Sequence, residues 1–122
     1  MASELTLNIS GEYEDADDVT LSFGVTDQRQ TITTTRPVKR KQEIGTSEEA
    51  ILLDDHTTHE GLWIRNLDET NYVEIKVATG GAIFAKIRAG RCMWVPLGSG
   101  AQAPFAIANT ASVIIETASF PL

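Results

Sequence analysis

The residue types best equipped for chemistry fall in one short stretch, Asp54-Asp55-His56-Thr57-Thr58-His59-Glu60. Two imidazoles and three carboxylates within seven positions supply the nitrogen and oxygen donors that a divalent transition metal takes. Spacing works against that use. A His-x-x-His pair turns both rings the same way only in particular turns or at a helix start, and the chain holds no third histidine to close the shell. His56 and His59 are therefore metal-ligand candidates set against a plainer reading, a polar loop ahead of Gly61, and the expectation is no metal.

The other chemical candidates are weaker still. Cys92, in Arg91-Cys92-Met93-Trp94, lies inside a predicted strand, where a lone cysteine is usually packed and inert. Ser99 sits between Gly98 and Gly100, without the Gly-x-Ser-x-Gly spacing of a nucleophile elbow. Gly80-Gly81 is followed by neither Gly-Lys-Ser/Thr nor a helix, so it does not form a phosphate loop. Asn66-Leu67-Asp68-Glu69-Thr70-Asn71 has some calcium-loop residues but lacks the glycine and the distant bidentate glutamate, and reads as a β-turn. With 17 Asp and Glu in the chain, no carboxylate pair stands out for glycoside hydrolysis. The sequence predicts neither catalytic residues nor a cofactor: a protein that binds, not an enzyme.

Binding chemistry is better represented. Trp63, Tyr72 and Trp94 fall opposite the aliphatic phase marked by Leu62 and Ile64, Val73 and Ile75, and Met93 and Val95. Three uses remain open for them: a protein interface, where Trp and Tyr are enriched; a sugar platform; or the second buried face of a two-sided sheet. Arg36, Lys39, Arg40 and Lys41 form a basic island. Ahead of it the chain is acidic, with Glu4, Glu12, Glu14, Asp15, Asp17, Asp18 and Asp27. Such asymmetry would let an edge of one copy meet an edge of another; the alternative is ordinary solvated charge.

The elements that carry these residues read as strands. Leu5, Leu7 and Ile9 alternate with polar residues, and after an acidic turn at Gly11–Asp18 so do Val19, Leu21, Phe23 and Val25, a period of two that predicts one buried and one exposed face. Thr31–Thr35 is a β-branched run that stops before Pro37, and Val38–Ile44 reads as an edge strand guarded by lysines. Ala50–Leu53 is either a strand or a helical turn, since Ser47-Glu48-Glu49 resembles a helix start. Leu62–Leu67 and Tyr72–Ala78 flank Asp68–Asn71 as a predicted hairpin, and turns at Gly80-Gly81 and Gly90 lead into Ile83–Arg88 and Cys92–Leu97 as a meander. Ala111–Ala118 supplies a last buried strand. The sum is an all-β, antiparallel sandwich of eight or nine short strands, of jelly-roll type by preference, with the terminal strands Glu4–Ile9 and Ala111–Ala118 in one sheet.

At 122 residues and 13.3 kDa, a single β-sandwich domain over residues 1–122 is expected, and that length builds a core without disulfides or metal. One cysteine excludes an intrachain disulfide. A net charge of −7 argues against nucleic acid as a partner, because phosphate binding concentrates Lys and Arg. The N-terminus lacks the basic and apolar regions of a signal peptide, and no apolar run is long enough to span a bilayer, so the expectation is a soluble protein made in a cytoplasm, with no membrane partner.

Three segments carry a resemblance: Gly61–Ile75 with its Ile-Arg-Asn-Leu-Asp-Glu-Thr-Asn-Tyr-Val-Glu core, Ile87-Arg88-Ala89-Gly90-Arg91, and Ala106-Ile107-Ala108-Asn109-Thr110-Ala111. Together they resemble small virion proteins of tailed bacteriophages, of the capsid decoration or cement type, over about half the chain from Gly61 onward. The resemblance implies a β-sandwich or jelly-roll module on the capsid surface of the virion. Its partners would be the major capsid protein and itself, commonly as a homotrimer. Arg91 stands where that pattern has Glu, which leaves the turn intact and removes a charge contact. A tail, neck or fibre module, or a carbohydrate-binding module using Trp63 or Trp94, are the competing functions.

Overall fold

The computed structural model describes residues 3–14, 16, 20–32, 38–53, 59–97 and 103–121. Among them it is all β and antiparallel, with ten strands and no helix. The chain gathers into two compact units, Met1–Thr33 and Thr34–Leu122.

The first unit is a hairpin of β1 (Ser3–Glu14) and β2 (Thr20–Ile32). Leu5, Leu7, Ile9, Gly11 and Tyr13 share one face of β1, as period two requires. A bulge in β2 between Val25 and Gln28 brings Val25, Phe23 and Leu21 opposite Ile9, Gly11 and Tyr13. Asp27 takes up the extra residue in the left-handed conformation, φ 58°, and its N–H donates to Asn8 Oδ1 at 2.9 Å. Thr31, predicted to begin a separate strand, is instead paired within β2. The expected burial of one face does not occur within the hairpin: Ile9, Tyr13, Leu21, Phe23 and Val25 are all exposed.

The second unit is a sandwich of two four-stranded sheets. One runs β3 (Val38–Ile44), β10 (Val113–Pro121), β5 (His59–Asn66), β8 (Cys92–Pro96); the other runs β4 (Glu49–Ala50), β9 (Phe105–Ala108), β6 (Val73–Lys76), β7 (Ile83–Ile87). Ile44, Leu62, Ile64, Val113 and Ile115 from the first sheet and Val73, Ile75, Ile87, Ala106 and Ala108 from the second close into one core with Ile51. Burying each large aliphatic side chain contributes about 1.5–3 kcal/mol. β3 is an edge strand, as its lysines indicated. β4 is a two-residue strand, and Ser47-Glu48-Glu49 starts no helix: Glu49 Oε2 accepts from the Gly45 N–H at 3.3 Å, closing a turn. β9 escaped sequence reading because Phe-Ala-Ile-Ala is apolar throughout and shows no alternation.

Three expectations of connectivity are corrected. β5 and β6 do not form a hairpin; they belong to different sheets, and Asp68–Asn71 carries the chain across the core. The turn at Gly90 likewise takes β7 to the opposite sheet, where β8 pairs with β5, so β6 and β7 pair but no meander continues. β1 pairs with β2 alone and shares no sheet with β10.

Asn66 explains why the chain crosses over. It is fully buried at the end of β5; its Nδ2 donates to the carbonyls of Asn71 at 2.8 Å and Ile87 at 3.0 Å, while its Oδ1 accepts from the Asp68 N–H at 2.8 Å. Asp68 Oδ2 then accepts from the N–H groups of Thr70 at 3.0 Å and Asn71 at 2.6 Å. These bonds turn the backbone onto the second sheet instead of back along β5. Asn109 holds the result from the other side, its Oδ1 accepting from the Tyr72 N–H at 3.0 Å. The Asn-Leu-Asp-Glu-Thr-Asn and Ala-Asn-Thr-Ala motifs thus meet in space as one latch.

Candidate functional site

Cross-strand register places the outward residues of the β3-β10-β5-β8 sheet in rows. One row reads Lys39, Ala118, Trp63, Trp94; the next reads Lys41, Glu116, Arg65, Cys92. Phe120, Gly61 and Pro96 border the first row. Trp63, Trp94 and Phe120 are each partly exposed on a face whose reverse side is the core.

The aromatic row is built by strand phase and by one glycine. Trp63 lies between buried Leu62 and Ile64, and Trp94 between Met93 and Val95, which pack against the core. Alternation therefore sends both indoles outward, and the sheet sets them directly across from each other. Phe120 meets Trp94 edge to face, centroids 5.7 Å apart at 63°. Gly61 makes room: a Cβ there would run into the six-membered ring of Trp94. The indole consequently lies across the β5 backbone and covers it.

Charge rims this row on one side. Lys39 is largely exposed, with its ammonium 3.6 Å from the more enclosed carboxylate of Glu116, and Lys41 and Arg65 are exposed beside it. Glu43 is exposed next to Ile114 at the far corner. An exposed pair such as Lys39 with Glu116 adds little to stability and leaves the lysine able to meet an outside group.

The residues singled out by sequence divide as follows. Trp63, Trp94, Lys39 and Lys41 come together on this face, and the outward placement of the two tryptophans holds. Arg40 does not join them: it pairs with Thr117 in the opposite phase of β3 and is half-buried, because a strand sends consecutive residues to opposite sides. Tyr72 lies just before β6, in the other sheet's half of the sandwich, with the Lys86 ammonium 4.3 Å above its ring. Arg36, His56 and Ser99 lie outside the described residues, and His59 is described only as backbone at the start of β5. Among the described residues no group of three or more His, Cys, Asp or Glu is gathered as for a metal ion. Cys92, expected to be packed, is exposed, since its phase is that of Trp94 and not of Met93.

Sequence reading missed Arg65 and Phe120. Arg65 is in phase with Trp63, a signal that was present; Phe120 needed β10 to run to Pro121, three residues beyond the predicted end.

Among the described residues, two carboxylates are held below their ordinary values by hydrogen bonds at turns. The Lys76 ammonium at 2.8 Å, the Thr79 hydroxyl at 2.6 Å and the Gly80 N–H at 2.7 Å hold the Glu48 carboxyl down to about 2. Asp68 is lowered by the N–H groups of Asn71 and then Thr70. Each serves a turn rather than a reaction: hydrogen bonds to the charged form shift the group, and neither is a desolvated acid poised near neutrality. Set beside models of protein families, curated proteins and solved structures, the chain matches none.

Proposed function

We propose that this chain is a structural assembly protein that decorates the head of a tailed phage and stabilises it by binding, with no chemical step. The observation that carries the reading is the row Trp63, Trp94 and Phe120, half-exposed on the solvent side of a sheet and rimmed by Lys39, Lys41 and Arg65. Aromatic anchors within a charged rim are what protein interfaces use.

Two further features support the setting. The strand order β3-β10-β5-β8 over β4-β9-β6-β7, in which the chain passes from one sheet to the other at every step but β6 to β7, supports a jelly-roll reading, an architecture common in viral capsid and lectin domains. The latch formed by Asn66, Asp68, Asn71 and Asn109 is built from the motifs that resemble phage virion proteins. In this reading the module works as a symmetric oligomer, so that several weak contacts act together on the capsid.

Purified capsids are the test. They should take up the protein to a fixed stoichiometry, lose it when Trp63 and Trp94 are changed to Ala, and withstand less heat once it is gone. Capsids that neither bind it nor change in heat resistance would refute the proposal. Because Trp63 and Trp94 sit directly across from each other, a sugar platform is the second reading; binding on a glycan array that disappears in the same variants would favour it.

A further inference from the structure

The hairpin β1-β2 carries exposed apolar side chains along one face. Ile9 opposite Val25 and Tyr13 opposite Leu21, with Phe23 lying over Gly11 between them, make three apolar rungs. Exposure is 59% for both Tyr13 and Leu21 and 62% for Phe23, which leaves more than half of each in water. The reverse face is polar, with Ser10, Glu12, Glu14, Thr20 and Ser22. A two-stranded ribbon is marginal in water without a surface under its apolar side. So regular an amphipathic pattern in an otherwise solvated ribbon marks a docking element.

Charge identifies a complementary surface in the same chain. Residues 1–33 hold seven carboxylates, Glu4, Glu12, Glu14, Asp15, Asp17, Asp18 and Asp27, against the single Arg29. A second ribbon carries the same net negative charge and offers no cation but Arg29. The outer face of the β3-β10-β5-β8 sheet offers the opposite combination, an apolar row of Trp63, Trp94 and Phe120 beside exposed Lys39, Lys41 and Arg65.

Building on the assembly reading above, we propose that the hairpin of one copy docks on this sheet face of a second copy, rungs on the aromatic row, its carboxylates drawn to the cationic rim. The contact is heterologous, arm to face, so every copy both gives and receives, and a ring forms where the rotation closes. A ribbon of about 12 residue pairs is about 40 Å long and about 10 Å wide. One arm-to-face contact would cover on the order of 400 Å² on each partner, about half of a standard interface, so a single contact is weak and the two that each copy makes in a closed ring act together. Glu4, Glu12 and Glu14 share the polar phase of β1, Asp27 sits in the bulge beside Arg29, and the other three fall between β1 and β2 in sequence, so the carboxylates steer the arm while the rungs supply burial.

Light scattering and sedimentation of the full chain across a concentration series test this. The chain should self-associate, with affinity falling as salt rises. The arm variant Leu21→Ser/Phe23→Ser and the face variant Lys41→Glu/Arg65→Glu should each weaken association by about tenfold or more, since every 1.4 kcal/mol is a decade. Thermal midpoints control for folding, and all four sites are exposed. Mixing the two variants is decisive: the intact arm of the face variant fits the intact face of the arm variant, so the mixture should form pairs that neither forms alone. A wild-type chain that stays monomeric, variants that associate like wild type, or a mixture that yields no pairs would overturn the proposal. Protection of hairpin amides from exchange in a monomer would overturn it too, in favour of docking on the chain's own body. Association without capsid binding would leave this inference standing and remove the assembly function; capsid binding by a monomer would do the reverse.

Discussion

The hairpin Ser3–Ile32 and the sandwich 38–121 use the same local device and reach opposite ends. Both alternate apolar with polar residues along antiparallel strands, and both lay an aromatic ring across a glycine of the neighbouring strand, Phe23 over Gly11 and Trp94 over Gly61. In the sandwich a second sheet closes over the apolar side, and Ile64, Ile75 and Ile115 lose all exposure. The hairpin is two-stranded, and its Leu21 and Phe23 are exposed. Ladder hydrogen bonds are common to both regions. They contribute modestly because water competes for them, so burial separates a stable element from one that waits for a surface.

Substitution should expose that contrast. The largest effect is expected from Ile115→Ala, which empties the middle of the core and should cost about 4 kcal/mol in chemical denaturation, most of a small domain's margin. A loss near that of a surface change would mean the two sheets do not share a core. Asn66→Ala comes next. It removes the buried amide that pairs the carbonyls of Asn71 and Ile87, and about 3 kcal/mol should be lost, together with local order in the Asp68–Asn71 crossing by amide exchange.

Acid sharpens the comparison within the sandwich. Glu48 has an ordinary value of 4.5 and is held at about 2 in the folded chain, so the unfolded chain binds its proton first as pH falls. Its contribution is therefore complete above about pH 4.5 and drains away as pH approaches 2; Asp68, also lowered, adds in the same direction. Melting temperature should fall through that window, and Glu48→Gln should start lower at neutral pH and lose less on acidification. A variant as acid-sensitive as wild type would show that the turn at Gly80 is held by other means.

The smallest effect belongs to the hairpin. Leu21→Ser in dilute protein should change the unfolding free energy of the sandwich by less than about 0.5 kcal/mol, as for other exposed positions. A chain starting at Thr34 should unfold with an unchanged midpoint. A large loss in either would show that the hairpin face is already buried in the isolated chain.

Much of this was legible from residue order. Period two told which side of each strand Leu62, Ile64, Val73, Ile75, Trp63 and Trp94 occupy, and the lysines of Val38–Ile44 marked an edge. The basic island divides by strand phase, which composition does not carry: Lys39 and Lys41 face out while Arg40 turns the other way. Turn chemistry at Asp68–Asn71 was visible too, but its direction was not, since the same Asp and Asn side chains close a hairpin or cap a crossing.

Alternation, turn positions and charge asymmetry follow from the sequence by itself, because each depends on neighbours within a few residues. Which strands pair, and what covers each apolar face, was decided only in three dimensions. β5 takes β8 and β10 as partners instead of β6, and the Asn66 bond to Ile87 that accompanies the crossing joins residues 21 apart, a contact that leaves no local trace. Trp63 and Trp94 became one surface for the same reason: they stand side by side only once the chain has crossed the core and returned.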